Sequence, residues 1–122
     1  MDLSICIVTF RERAEDIKRL VSQIRKDKNS DGVDIVLAIN GNNCELMPDD
    51  YRKDMLRLCD NTPNCYPIFC PEFKSLPKLW NTLAIFSRTQ YNFFLCDDVE
   101  YTNDDIINII KTYIDQTSDE FF

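Results

Sequence analysis

Histidine is absent from this 122-residue chain, and glycine occurs only twice, at Gly32 and Gly41. The shortage of glycine excludes a P-loop, which needs a Gly-rich turn followed by Lys-Ser/Thr to cradle phosphates. The six cysteines (Cys6, Cys44, Cys59, Cys65, Cys70 and Cys96) form no C-x-x-C pair. With no histidine to complement them, the cysteines argue against a zinc site built on close ligand pairs. Cys6, Cys70 and Cys96 lie in apolar stretches, where a free thiol behaves as a small hydrophobe. Reduced thiols in a reducing compartment are therefore expected.

Basic residues are also scarce, 14 against 21 acidic ones, for a formal net charge of −7. A nucleic-acid binder carries a basic footprint, so none is expected here. An anionic ligand remains compatible, because a divalent cation converts a carboxylate cluster into an anion site. Long apolar runs are missing too. Leu3 to Phe10 falls far short of the roughly 20 residues of a membrane span. It follows Asp2 rather than a basic signal-peptide opening. The expected setting is cytoplasmic, with any membrane association left to regions or partners outside these residues.

What is present reads as one domain over residues 1–122, with 44% hydrophobic and 29% charged residues. Leu3 to Thr9 is a near-continuous apolar run, as in a strand covered on both faces. After the polar break Phe10-Arg11-Glu12-Arg13, Ile17, Leu20, Val21 and Ile24 recur at helical spacing. The cluster Asn29-Ser30-Asp31-Gly32 is a turn. Val33 to Ile39 is a second buried strand, ended by Asn40-Gly41-Asn42-Asn43. Pro48-Asp49-Asp50 opens a second helix with Met55, Leu56, Leu58 and Cys59 on its apolar side. Cys65 to Cys70 is a short third strand, and Pro67 marks an edge or a strand end. Pro71 to Pro77 is an irregular loop. Lys78 to Ser87 is a helix with Leu79, Trp80, Leu83, Ala84 and Phe86 as its apolar residues. Tyr91 to Cys96 is the most hydrophobic strand, expected to be buried. A last helix, capped by Thr102 or Asn103 with Asp104 and Asp105 in its first turn, presents Ile106, Ile107, Ile110, Tyr113 and Ile114 to the core.

Strands alternating with helices imply an α/β fold: an open, mainly parallel sheet with helices on both faces. Ligands bind such sheets outside the carboxyl ends of the strands. That rule selects Thr9 to Arg13, Asn40 to Asn43, Pro71 to Lys78 and Cys96 to Glu100. Asp97 and Asp98 stand out among these. Two adjacent carboxylates at a strand end repel one another, and a hard cation relieves that cost. A solvated loop before the next helix is the plain alternative. A phospho-acceptor receiver domain would carry acidic residues after its first strand, where this chain has Thr9-Phe10-Arg11. Asn40 presents an amide suited to a base or ribose, although Asn-Gly-Asn-Asn is also an ordinary turn sequence. Phe10 offers a ring to a base, or else a core aromatic. Lys74 and Lys78 lie within reach of phosphates on the same edge, or are simply solvated. Asn81 is a polar residue beside an apolar helix face.

In this order and spacing, the segments resemble the N-terminal part of family-2-type inverting glycosyltransferases of the GT-A fold. Val8-Thr9-Phe10-Arg11-Glu12-Arg13 resembles that family's opening strand and turn. Val33 to Asn43 resembles its second strand, Lys74 to Arg88 the helix carrying a recurrent Asn (here Asn81), and Tyr91 to Val99 the strand ending in Asp-x-Asp. The resemblance implies a nucleotide-diphosphate sugar donor, UDP- or dTDP-linked, and Mn²⁺ or Mg²⁺. Asp98 matches the last Asp of the motif, the metal ligand, and Asp97 the middle position. Thr9 and Phe10 match residues lining the base, and Asn40 an Asp that binds it. Cys96 replaces the first Asp of the motif, and Arg11 replaces the turn Asn.

The family's acceptor site and catalytic base lie beyond the Asp-x-Asp strand, in a second half that this chain lacks. The resemblance therefore implies donor binding by a truncated GT-A domain, with no catalytic base to assign. The alternative is a GT-A-like binding or assembly module without catalysis. Either reading leaves surface open to a second copy or a partner subunit.

Overall fold

A computed structural model describes residues 3–41, 47–101 and 106–121, with side chains in the last segment described through 116. Four strands, β1 (Leu3–Thr9), β2 (Asp34–Asn40), β3 (Cys65–Cys70) and β4 (Tyr91–Cys96), form one sheet in the order β3-β2-β1-β4. Every pairing is parallel. Four α-helices alternate with the strands: α1 (Ala14–Lys26), α2 (Asp49–Asp60), α3 (Leu76–Phe86) and α4 (Ile106–Phe121). The expected α/β architecture, an open parallel sheet with helices on both faces, is present. Among the described residues, no helix is long and apolar enough to cross a membrane.

Side chains on a strand alternate between the two faces. Ile5 and Ile7 of β1, with Ile35, Leu37 and Ile39 of β2, face a layer made by α1, α2 and α4. Cys6 of β1 and Val36 and Ala38 of β2 face the other way, onto Leu79 and Leu83 of α3. Helices thus cover both faces, but three stand on one side and one on the other.

This imbalance corrects several expectations. β4 is an edge strand rather than a buried one, and its Phe94 is half-exposed. Phe94 meets Trp80 edge-on, with ring centroids 5.1 Å apart. Phe86 on α3, Leu56 on α2 and Tyr113 on α4 are exposed rather than in the core. Each lies on the solvent-facing side of its helix. The α3 helix begins at Leu76, two residues before Lys78, because Pro77 is tolerated in a first turn. The expected cap of α4, Thr102 to Asp105, lies outside the described residues.

The far edge of the sheet behaves as Pro67 implies, since β3 pairs only with β2. Two local devices hold the connections. Arg25 at the end of α1 donates to the carbonyls of Ser30, Val33, Pro63 and Asn64 at 2.7 to 3.2 Å. One fixed guanidinium fork so ties the α1–β2 and α2–β3 connections together. Gly32 takes φ 78°, a left-handed conformation that glycine adopts without strain.

Candidate functional site

The site follows from strand register. Val8 of β1 stands opposite Cys96 of β4, so the next residues, Thr9 and Asp97, share one face at the carboxyl edge. The Thr9 hydroxyl donates to Oδ2 of Asp97 at 3.1 Å, and both side chains are buried. Burial pushes the Asp97 carboxyl above its ordinary value, and the neighbouring Asp98 and Asp16 add to that rise. The Thr9 hydrogen bond and the Arg13 guanidinium act against it.

Asp98 has the opposite parity and turns outward, its side chain 57% exposed. The chain bends immediately after Cys96, where the Val99 amide donates back to the Cys96 carbonyl at 3.4 Å. It then docks on α1 through Tyr101. The Tyr101 amide donates to Oε1 of Gln23 at 3.0 Å, and its hydroxyl donates to Oδ2 of the buried Asp27 at 2.5 Å. The aspartate turn is therefore held at both ends.

The break after β1 is a 3-10 turn, Arg11–Arg13, and it delivers Arg13 to the aspartates. Its guanidinium stands 3.4 Å from Oδ2 of Asp98 and 4.0 Å from Oδ1 of Asp97. It also lies over the half-exposed ring of Phe10, 5.6 Å from the centroid. Thr9, Phe10, Asp97 and Asp98 are thus gathered around one cation. Arg13 is a site residue that the sequence pattern alone does not single out. Its signal was a basic residue one turn past the first strand, on the edge that carries the aspartates.

Arg11 and Asn40 line a neighbouring small cavity with Glu12, Gly41, Met47, Pro48 and Tyr51, with room for about one water. Among the described residues, the buried Tyr51 hydroxyl has no hydrogen-bond partner within 3.5 Å. Burial chiefly, with the charges of Asp97 and Glu12 next, raises its pKa, so it stays protonated. The cavity floor needs Gly41, because a Cβ there would come within 1.9 Å of the Pro71 carbonyl oxygen.

Asn40 donates from Nδ2 to the Lys74 carbonyl and accepts the Lys74 amide on Oδ1, each at 3.0 Å. Its amide positions the loop that carries Lys74, whose side chain is exposed. Asn81 is exposed on α3, in the layer opposite the one that surrounds Thr9 and Asp97. Asn42 and Asn43 lie outside the described residues.

Two carboxylates at a strand end, one buried and one open to solvent, suit Mg²⁺ or Mn²⁺. Such ions are commonly held by one or two carboxylates, with phosphates and water completing the shell. Among the described residues, no group of three or more His, Cys, Asp or Glu side chains is gathered for a metal. Beside the described residues, oxygens of a bound molecule or water could complete the shell.

No protein-family model matches the chain, and no curated protein matches it. Among solved structures, it superposes on the crystal structure of S. aureus TarS 1-349 with a TM-score of 0.72 at 16% sequence identity. The match covers 97% of this chain and 33% of that one, so the chain spans about a third of that structure's length. The likeness is one of fold: both share a parallel-sheet α/β architecture.

Proposed function

We propose that this chain is the donor-binding domain of a glycosyltransferase, taking a UDP- or dTDP-linked sugar with Mn²⁺ or Mg²⁺. The observation that carries the reading is the cluster Thr9–Asp97–Asp98–Arg13 at the carboxyl edge of a parallel sheet. That sheet has the fold of TarS, a glycosyltransferase.

Asp98, exposed to solvent, would bind the metal directly, and Asp97 would hold it or orient the turn from beneath. When bound, the metal would neutralise the charge of the leaving diphosphate as a Lewis acid. Arg13 would keep the carboxylates balanced in the empty site and then turn to a phosphate oxygen, which a guanidinium fork recognises well. Phe10 would pack on the base, with Thr9 and Arg11 beside it. Asn40 would act through Lys74, holding that loop where the lysine reaches a phosphate. Among the described residues, none is assigned as the base that would deprotonate an acceptor hydroxyl.

The test is the variant Asp98→Ala. It should keep the circular dichroism spectrum and lose metal-dependent UDP binding. Unchanged affinity would overturn the reading.

A second reading, a non-catalytic binding or assembly module, is favoured by one observation. Phe94 on β4 and Leu76, Ile85 and Phe86 on α3 are large apolar side chains left exposed. This reading expects a stable complex with a second copy or a partner subunit, and no nucleotide binding in any metal.

A further inference from the structure

Cys59 closes the last turn of α2 and Cys65 opens β3, so the short turn between them brings their side chains together. The two Sγ atoms are 3.7 Å apart, with the Cys65 thiol donating to Cys59. Both side chains are buried, yet the turn above them, Asp60 to Asn64, is largely solvent-exposed. A disulfide needs the sulfurs at about 2.0 Å, and small χ1 rotations in a surface turn can supply that approach. The thiols are also unequal. The hydrogen bond from Cys65 lowers the pKa of Cys59, while Cys65 itself is raised, by that hydrogen bond and by burial. Among the described residues, no thiol is hydrogen-bonded to Cys6 or Cys70, and burial raises both.

We propose that Cys59 and Cys65 form a redox-active dithiol that closes reversibly to a disulfide on reaction with a small disulfide oxidant of the glutathione-disulfide class. The Cys59 thiolate attacks one oxidant sulfur. The oxidant's S–S bond breaks, and one thiol leaves with a proton from solvent. Cys65 gives up its proton and attacks the Cys59 sulfur of the mixed disulfide, releasing the second thiol. The pair loses two electrons and two protons, and the oxidant gains both. The product staples the end of α2 to the start of β3. This proposal is independent of the donor-site reading, since the pair lies at the opposite, amino-terminal end of β3 from the site.

The experiment uses the folded wild-type chain and oxidised glutathione, followed by denaturation, alkylation of remaining thiols and mass spectrometry of fragments. The exposed Cys96 reports that the oxidant was active. The expected result is a Cys59–Cys65 cross-link, lighter by two hydrogens and reopened by dithiothreitol, with Cys6 and Cys70 fully alkylated. The variant Cys65→Ser should arrest the reaction as a glutathione adduct on Cys59. Recovery of both Cys59 and Cys65 as alkylated thiols, with Cys96 carrying glutathione, would overturn the proposal. So would a cross-link joining either cysteine to a different partner.

Discussion

The Thr9 hydroxyl donates to Oδ2 of Asp97 over 3.1 Å, and so joins the ends of the two strands that share the candidate site. A hydrogen bond to a buried carboxylate contributes more than one between neutral groups, and leaving the carboxylate without it is costly. Thr9→Val should therefore destabilise the chain by about 1–3 kcal/mol at neutral pH. The loss should shrink in acid, where Asp97 is protonated. Urea denaturation at the two pH values checks this, and an equal loss at both would contradict it.

Asp97 itself carries a stability penalty with a definite sign. Its folded pKa lies above the ordinary 3.8, chiefly through burial. Between 3.8 and the raised value the folded state binds more protons than the unfolded one. The contribution of this group is thus full below 3.8 and is lost as pH rises through the folded value. Asp97→Asn keeps an acceptor for Thr9 and removes the charge. It should equal or exceed wild-type stability at neutral pH, by up to about 1 kcal/mol, and flatten this part of the pH profile. Denaturation midpoints across pH 3 to 7 give the answer, and a clearly less stable variant at pH 7 would count against the burial argument.

Arg13 occupies the position of a counter-ion to both aspartates. A partly exposed pair of this kind is worth about 0.2–1 kcal/mol. Arg13→Ala should then raise the affinity of the nucleotide-free chain for Mn²⁺ by a few-fold. Titration calorimetry with the ion alone tests it. A weaker affinity would mean that Arg13 shapes the metal ligands rather than competing with the metal.

Gly41 lies just past the end of β2, against the backbone of Cys70 and Pro71 at the end of β3. A methyl group at this position meets backbone rather than a flexible side chain, so the strands must part. Gly41→Ala should cost about 1–3 kcal/mol, as overpacking does, and should widen the cavity beside Asn40 and Tyr51. Thermal denaturation reads the first effect. A variant as stable as wild type would show that the two strand ends separate freely.

The strands and helices were legible in the sequence because their apolar spacing is unambiguous. Leu3 to Thr9, Cys65 to Cys70 and Tyr91 to Cys96 are found with the expected bounds. The second strand is shifted by one residue, since Val33 gives its carbonyl to Arg25 before the ladder begins. Hydrophobicity did not reveal how each strand is covered. YNFFLC reads as an interior strand but lies at an edge, because strand order depends on contacts between residues far apart in the chain. The aspartates could be read from their place after that strand. The role of Arg13 could not, because it depends on a 3-10 turn that folds the guanidinium back over Phe10. Asn40 was legible as a strand-end amide, but its commitment to Lys74 requires the β3–α3 loop to return across the sheet edge.

The most direct test of the donor-site account is calorimetry of UDP and dTDP binding to the wild-type chain, with and without Mn²⁺. The account predicts saturable binding of at least one nucleotide that appears only with the ion and vanishes in Asp98→Ala. Silence of both nucleotides in Mn²⁺ and Mg²⁺, from a chain shown to be folded, would contradict it and leave the assembly-module reading standing.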